Sequence, residues 1–344
     1  METAAGSGPG RKPAMTVKDI ARVAEVSPMT VSRVLSGGKN VRPALREHVE
    51  RVIAEVGYHR NENARSLRPG QRSGLVGVLI TNIGNPYYAG VVQGIEQVVA
   101  STGRRILVGT TNEDADLERQ LLSDFLGRQV EGLIVVPVGQ DTERFTTTRL
   151  NDAPLVLASR TVAEVAADAV LIDDVHGARD ATSLMLDDGH SRIAFLGNKV
   201  TVSTGQRRLA GFRNAFAAHG TTPDESLIVL GLQDTDSAEH AMRRLLERPD
   251  RPTAVFAANN RISVGAIRAI AKALADGTIA VPPNLFAFDS FDFADMAPIP
   301  LSVIDHDPAE LGRVAARMLL SRLGGSAVGE APRLVELPVH IVHH

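Results

Sequence analysis

The chain has 344 residues, of which 44% are apolar, and its net charge is −3. This length and apolar content suffice for two or three domains with packed cores. The absence of cysteine excludes disulfides and thiolate metal sites, and no apolar run approaches transmembrane length or resembles a signal peptide. We therefore expect a soluble, cytoplasmic protein.

The charge is unevenly distributed. Residues 1–72 carry 13 Lys and Arg against 7 Asp and Glu, a net charge of +6, whereas the remaining 272 residues carry 24 against 33, a net charge of −9. A basic segment attracts phosphates, and an acidic core repels DNA. The asymmetry therefore favours a nucleic-acid-binding N-terminal unit attached to a larger unit with another task.

Two short helices are predicted after a Gly-, Ala- and Pro-rich start that we expect to be disordered. Thr16 and Asp19 have the spacing of a capping box, so the first helix begins just after Thr16. Ser27 followed by Pro28 predicts an N-cap with proline at the first helical position, and a glycine pair ends this second helix. This pattern is typical of a helix-turn-helix whose second helix enters the DNA major groove.

The neighbouring segments strengthen this interpretation, because two amphipathic helices alone fit any helical domain. A third amphipathic helix is predicted over Arg42 to Val56, and Gly57 closes it. Then comes a polar and basic run, HRNENARSLRPGQRSG, in which Leu67 is the single large apolar residue.

From Leu75 onward, short apolar runs alternate with helical stretches. The runs are LVGVLI, RILVGT, GLIVVP, PLVLAS, DAVLIDD, RIAFLG, LIVLG, AVFAAN, LFAFD and LSVID. Continuous apolar strands separated by amphipathic helices indicate parallel sheets covered on both faces. Ten runs are too many for one modest sheet, so we predict two Rossmann-like subdomains.

Enzyme chemistry has no motif to support it. There is no G-x-G-x-x-G after a strand, no P-loop and no nucleophile elbow. Asp173 and Asp174 follow a strand, but carboxylates there more often cap the next helix than bind a metal. We therefore predict no catalytic residue, no metal and no cofactor. A periplasmic sugar-binding protein would need a signal peptide and would lack residues 16–70.

The segments VKDIARVAEVSPMTVSRVLSGG and GYHRNENARSLR resemble the headpiece and hinge of the lactose-repressor/galactose-repressor (LacI/GalR) family of bacterial transcription regulators. The resemblance continues nearly to the C-terminus. It implies an all-α helix-turn-helix headpiece and an α/β periplasmic-binding-protein-like core, whose two subdomains are joined by three crossovers near Asp173, Asp305 and Ala331. The predicted parts are a disordered segment 1–14, a DNA-binding domain 15–60, a hinge 61–72 and a core 73–344, in which the N-subdomain spans about 74–173 and 305–330 and the C-subdomain spans about 174–304 and 331–344.

The resemblance also implies how the second helix reads DNA. Pro28 and Met29 stand where family members place base-reading side chains, and because neither is a donor, they would contact bases through apolar groups such as thymine methyls. Arg33 is the candidate for a bidentate contact to guanine. Phosphate contacts are assigned to Thr16, Thr30, Ser32 and Asn40.

The run from Asn61 to Arg68 resembles the family's hinge helix. It is too short to be stable alone, so it should fold only when two copies meet on DNA. Leu67 would then wedge into the minor groove and kink the operator. The predicted hinge contacts are Asn61, Ala64, Leu67 and Arg68. Glu25 in the turn and Arg60 before the hinge depart from the family pattern and leave the half-site geometry open.

The same resemblance places a ligand pocket in loops that follow the strands. Its predicted effector-binding residues are Asn85, Tyr87, Tyr88, Ser159, Arg160, Arg208, Asn259, Asp289 and His306. Planar bidentate partners and an aromatic face suit a polyol. Ser159 and His306 replace an aspartate and a glutamine that are usual in the family, so a nucleoside or a modified or acidic sugar stays open beside an ordinary sugar.

The resemblance thus implies a homodimeric, ligand-responsive regulator, most simply a repressor, on a near-palindromic operator. Ligand closes the cleft and shifts the population of states in which the hinges pair. No heptad tail follows the last strand, which argues against a zipper-built tetramer. The alternative is an activator or an architectural DNA binder with a degenerate pocket.

Overall fold

The computed structural model describes residues 15–58 and 73–344, apart from positions 36, 39, 147 and 328. The predicted disordered segment 1–14 and the predicted hinge contacts lie outside the described residues; the latter are Asn61, Ala64, Leu67 and Arg68. The chain divides into two compact units, Met1–Gln71 and Arg72–His344. Among the described residues, no helix has both the length and the apolarity to cross a bilayer.

The N-terminal unit contains three helices in its described part, α1 (Val17–Val23), α2 (Pro28–Leu35) and α3 (Pro43–Glu55). The predicted capping box is confirmed, since Thr16 Oγ1 accepts from the Asp19 backbone N–H and the Asp19 carboxylate accepts from the Thr16 N–H. These contacts satisfy donors that a helix start otherwise leaves without partners.

A small apolar core holds the three helices together. Ile20 of α1, Val31 of α2 and Val49 of α3 are completely buried in it. Between α1 and α2, Glu25 has a φ of +54°, the left-handed conformation that glycine adopts most readily. The turn therefore keeps its shape with a charged residue where a small one is usual, and the Glu25 side chain points to solvent.

The second unit contains two six-stranded sheets. The strands are β1 (Leu75–Ile80), β2 (Arg105–Thr110), β3 (Gly132–Val135), β4 (Leu155–Ala158), β5 (Asp168–Ile172), β6 (Ile193–Leu196), β7 (Ile228–Val229), β8 (Ala254–Ala257), β9 (Asn284–Phe288), β10 (Leu301–Asp305), β11 (Leu334–Leu337) and β12 (His340–His343). The first sheet has the order β11-β5-β4-β3-β1-β2 and is entirely parallel; the second has the order β12-β10-β9-β8-β6-β7, with only β12 antiparallel. The predicted two-subdomain α/β core is thereby confirmed.

Helices cover the sheets. They are α4 (Pro86–Ala100), α5 (Ala115–Gly127), α6 (Asp174–Asp187), α7 (Ser203–Ala218), α8 (Thr235–Leu246), α9 (Asn260–Ala275) and α10 (Pro308–Leu323), with short 3-10 turns at Glu143–Phe145, Glu225–Leu227 and Ala294–Met296. We call β1–β5, β11, α4, α5 and α10 the first lobe, and β6–β10, β12 and α6–α9 the second lobe.

The two lobes exchange a helix. α6 comes after the first sheet but packs along α7 of the second lobe, and α10 comes after the second sheet but packs along α4 of the first. Both pairs approach closely at glycines: a Cβ on Gly94 would overlap the Ala309 carbonyl oxygen, and one on Gly211 would overlap that of Val175. Only glycine allows such backbone contact.

The chain passes between the sheets three times. The first passage is at Asp173, between β5 and α6, and the second lies between Asp305 and Pro308. The third lies between Leu337 and His340, because β11 pairs with β5 of the first sheet and β12 pairs with β10 of the second. The prediction of a third crossover near Ala331, with 331–344 wholly in the second subdomain, is therefore wrong.

Candidate functional site

A cavity of about 260 Å³ lies between the two lobes of the second unit. Its walls are made by residues that come after the carboxyl ends of strands, which is where ligands bind in open α/β sheets. The first lobe contributes Thr81, Asn82, Asn85, Tyr87, Tyr88, Asn112, Glu113, Ser159 and Arg160, and the second contributes Asn198, Thr204, Arg208, Gln233, Asp234, Asn259, Arg261 and Asp289.

Eight of the nine residues predicted to bind an effector line this cavity, and His306 does not. At the second crossover the chain turns behind Tyr87, so the His306 ring stacks on the Tyr87 ring with centroids 5.5 Å apart. Burial lowers the pKa of His306 and favours its neutral form. Tyr87 lines the cavity, whereas His306 packs against the Tyr87 ring and is not among the lining residues, so the contact of His306 with an effector stays a prediction.

The first-lobe wall is organised around Arg160. Its guanidinium donates to both carboxylate oxygens of Glu113, at 2.9 and 2.8 Å, and to the Tyr88 hydroxyl at 3.2 Å. The Tyr87 hydroxyl donates to Ser159 Oγ at 3.0 Å, and burial raises the pKa of Tyr87, so its hydroxyl stays protonated. The two tyrosine rings meet edge to face, 5.0 Å apart.

The second-lobe wall is organised around Arg208, which contacts two carboxylates and an aromatic ring. It donates to both carboxylate oxygens of Asp289, at 3.0 and 3.1 Å, and to Asp174 at 2.8 Å. Its guanidinium carbon lies 3.6 Å from the centre of the Phe288 ring. Burial raises the pKa of Asp174 to about 6, against the opposing effect of the neighbouring arginines.

Arg207, the residue before Arg208, faces the crossovers. It forms ion pairs with Asp174, at 3.4 Å, and with Glu336 of β11. Asp174 begins α6 after the first crossover, and Glu336 lies just before the third. Two adjacent arginines of α7 thus connect the cavity wall to two of the three connections between the lobes.

Direct hydrogen bonds bridge the cleft. The side-chain amides of Asn85 in the first lobe and Asn260 in the second form two reciprocal hydrogen bonds, at 3.2 and 2.8 Å. Asn85 Oδ1 also accepts from the Tyr87 backbone N–H and so caps α4. Nearby, the Thr161 N–H donates to Ser203 Oγ at 3.3 Å. The Asn85 amide, predicted as an effector contact, thus also joins the lobes.

In the N-terminal unit, α2 presents one face to solvent. Val31 and Val34 are buried, whereas Met29 is 63% exposed and Arg33, one turn later, is exposed too. Pro28 and Asn40 are also exposed, and Thr30 and Ser32 are partly buried. The Thr16 and Thr30 hydroxyls form hydrogen bonds with Asp19 and Ser27 at the helix starts. The side chains predicted to read bases therefore share one accessible surface.

Comparison with known proteins agrees with this architecture. Residues 73–344 match "Periplasmic binding proteins and sugar binding domain of LacI family", and residues 16–61 match "Bacterial regulatory proteins, lacI family". The chain belongs to the LacI family. The "Ribose operon repressor" of Haemophilus influenzae is 33% identical over 310 residues, which cover 90% of this chain and 92% of that protein.

Solved structures resemble this LacI-family chain over almost its full length. The "transcriptional regulator CelR-cellobiose complex" is 29% identical with a TM-score of 0.70 and covers 96% of this chain and 99% of that one. The lac repressor dimer bound to operator and the anti-inducer ONPF has a TM-score of 0.81 at 23% identity, with coverages of 96% and 98%, and shows the fold. The predicted family, fold class and role as a DNA-binding transcriptional regulator are confirmed.

Several cavity residues of this LacI-family core were missed by sequence reasoning. They are Thr81, Asn82, Asn112, Glu113, Asn198, Thr204, Gln233, Asp234 and Arg261. A signal was available for most of them, because polar residues placed directly after a buried parallel strand collect at one edge of the sheet. Thr81 and Asn82 come directly after β1, and Asn112 and Glu113 come within three residues of β2.

Proposed function

We propose that this LacI-family protein is a homodimeric repressor whose affinity for operator DNA is set by a small polar effector, most simply a sugar, in the cavity between the lobes. The observation that carries the proposal is the cavity itself, whose two walls belong to different lobes. A ligand that contacts both walls has unequal affinity for their arrangements and must shift the population between them.

The cavity chemistry supports a sugar-like effector. Tyr87 and Tyr88 offer aromatic surface to the C–H face of a ring, while amides and charged groups of both lobes offer hydrogen bonds to hydroxyls. One matched relative carries "ribose" in its name and another was solved with cellobiose. Effector contacts are therefore assigned to Asn85, Tyr87, Tyr88, Ser159, Arg160, Arg208, Asn259 and Asp289.

The DNA-binding half of the proposal rests on α2. Met29 and Arg33 reach base edges in the major groove, and the hinge contacts, with Leu67 foremost, complete the interface when two copies meet. Two headpieces then match the halves of a near-palindromic site. The protein acts in the cytoplasm without catalytic chemistry, and its output is occupancy of the operator.

Operator titrations test the proposal. Labelled operator, identified by footprinting, is titrated with full-length protein alone and with each member of a panel of sugars and nucleosides, and thermal unfolding is followed in parallel. We expect at least one compound to stabilise the protein and to change operator affinity by about fivefold or more, the usual range of allosteric coupling. Stable operator binding that no compound alters, with no thermal shift, would favour an architectural DNA binder.

A further inference from the structure

The charged groups of the cavity wall differ in how far they are already paired. Arg160 is paired with Glu113 and Arg208 with Asp289, so these four charges largely cancel. Arg261 is the exception: within the described part of the chain it forms neither an ion pair nor a hydrogen bond. A half-buried guanidinium with five donors therefore faces the cavity without a protein partner among the described residues.

The carboxylate of Asp234 lies near Arg261, but it already accepts a hydrogen bond from another group. Asp234 is exposed, and its Oδ1 accepts the Ser237 backbone N–H at 2.8 Å to cap α8. Its pKa is lowered chiefly by hydrogen bonds from Ser237 and to a lesser extent by the charge of Arg261. This arrangement leaves the Arg261 donors available to a ligand.

Further donors lie in the same second-lobe wall. Asn198 accepts from Asn259 Nδ2 through its Oδ1, at 3.0 Å, and its own amide N–H₂ has no partner among the described residues. Thr204 is only 9% exposed, and its hydroxyl also makes no hydrogen bond within them. Both side chains line the same cavity as Arg261.

The start of α7 adds backbone donors to this set. No side chain of the described residues caps this helix, so the N–H groups of its first turn lack the partner that Asp234 and Asn259 supply to α8 and α9. A Cβ built on Gly205 would lie 3.3 Å from Asn198 Cβ, which places this uncapped start next to Asn198. Helix N-termini favour negative charge.

We infer that the second-lobe wall binds an oxyanion, so that the effector is a monosaccharide carrying a carboxylate or a phosphate group rather than a neutral sugar. Arg261 forms the bidentate contact, and Asn198, Thr204 and the start of α7 complete the donor set. The cavity volume is about 260 Å³, which is below the usual range for drug-sized ligands and so fits a single sugar ring with one substituent. This inference deepens the proposed function and rests on it.

Calorimetric titration of the full-length protein with matched sugars tests the inference. The neutral members are D-glucose, D-galactose and D-ribose; the anionic members are D-glucuronate, D-galacturonate, glucose 6-phosphate and ribose 5-phosphate. At least one anionic member should bind about ten times or more as tightly as its neutral parent, and added salt should reduce this difference. The two anionic series separate a carboxylate from a phosphate. Neutral parents that bind equally well or better would overturn the inference.

Three variants test whether Arg261 causes the preference for anionic sugars. Arg261→Gln should weaken the anionic member about tenfold or more and leave the neutral parent unchanged, whereas Arg261→Lys should retain most of the preference. Arg268→Gln is the matched control, because Arg268 lies two turns further along α9 and pairs with Asp236 at 3.7 Å outside the cavity. Equal losses for both ligands in Arg261→Gln, or the same losses in the control, would contradict the inference.

The two proposals fail in different ways. A neutral sugar that binds and shifts operator affinity would overturn the oxyanion site and support the proposed function. No binding by any member of either series, with operator affinity unchanged throughout, would overturn both.

Discussion

The two lobes have the same strand order but place different side chains at equivalent strand ends. Their sheets have the same strand order, and at equivalent strand ends Ser159 comes after β4 and Asp289 after β9, both in the left-handed conformation, with φ of +65° and +66°. In the first lobe this position holds a hydroxyl, and the nearby Arg160 pairs with Glu113, whose side chain is 43% exposed. In the second lobe it holds a carboxylate that clamps a buried arginine.

The ion pairs around Arg160 and those around Arg208 therefore extend over different distances in the molecule. The Arg160 pair ends within the first-lobe wall, whereas the Arg208 cluster continues through Asp174 to Arg207 and Glu336 and so touches the connections between the lobes. Changes in the first-lobe wall should therefore act locally, and changes in the second-lobe wall should affect folding and lobe arrangement as well. Substitutions made in parallel in the two lobes can break or sharpen this difference.

The largest effect is expected at Asp174. Its side chain is completely buried between two arginines and accepts from Arg208 Nε, so Asp174→Asn sets an amide N–H₂ against arginine donors. We expect the free energy of unfolding to fall by about 1–3 kcal/mol, the cost of a buried polar group left without a partner. The first-lobe counterpart, Glu113→Gln, should cost only about 0–1 kcal/mol because that ion pair is partly solvated. Urea unfolding followed by circular dichroism measures both, and equal losses would remove the distinction between the lobes.

How far the sequence predicts this molecule depends on the kind of contact. All ten apolar runs form strands, because an apolar run between turn signals reports burial directly. β11 escaped prediction as part of the first lobe because its alternating pattern fits an edge strand of either sheet, and only pairing with β5 decides between them.

The candidate site shows the same limit. Tyr87 and Arg208 could be placed in the cavity from motifs next to strand ends. Their partners could not, because the Asn85–Asn260 pair joins residues 175 positions apart and Arg207–Glu336 joins residues 129 positions apart. Such pairs depend on how the helices are exchanged between lobes, which no local pattern encodes.

A second prediction concerns pH, because each lobe buries one carboxylate with a raised pKa. Burial raises the pKa of Glu118 in the first lobe from 4.5 to about 7, and that of Asp174 in the second from 3.8 to about 6. Between the lower and the upper value, the folded state binds more protons than the unfolded state. Each group therefore makes the free energy of unfolding fall as pH rises through its window, by at most about 1.4 kcal/mol per pH unit.

His306 acts in the opposite direction. Its lowered pKa means that the unfolded state binds more protons below about pH 6.5, so its contribution to stability is lost as pH falls. Urea unfolding from about pH 5 to 8 should show Asp174→Asn losing the fall between about pH 5 and 6, while Glu118→Gln loses the fall up to about pH 7. An unaltered pH profile in either variant would show that the substituted carboxylate does not titrate in this range.

A third prediction concerns the bridge between the lobes. Asn260→Ala removes two hydrogen bonds across the cleft, and at about 0.5–1.5 kcal/mol each their loss should favour separated lobes. Because the chain has no cysteine, spin labels can be attached uniquely to Cys residues introduced at the exposed positions Arg119 and Arg243. The inter-label distance should lengthen or broaden in the variant.

The control for this measurement lies within one lobe. Asn284 has a partly buried side-chain amide 3.1 Å from His190 Nε2, with both residues in the second lobe. Asn284→Ala should therefore destabilise the protein without altering the inter-label distance. A distance distribution that is identical in both variants and the parent would mean that the Asn85–Asn260 pair does not set the lobe arrangement.

The smallest expected effect is a difference in the free energy of unfolding between substitutions of two arginines in the same helix. Arg207 and Arg213 both lie on α7 and both form carboxylate pairs, but Arg207 contacts Asp174 and Glu336 near the crossovers, whereas Arg213 contacts Glu225 at the surface. Arg207→Gln should lower the free energy of unfolding by about 1 kcal/mol, and Arg213→Gln by less than about 0.5 kcal/mol. Arg207→Gln should also shift the Asp174-dependent fall in stability to higher pH, since Arg207 favours the charged form of that carboxyl and so lowers its pKa. If both substitutions changed stability equally and neither moved the pH profile, Arg207 would be an ordinary surface charge, and the second-lobe cluster would end at Asp174.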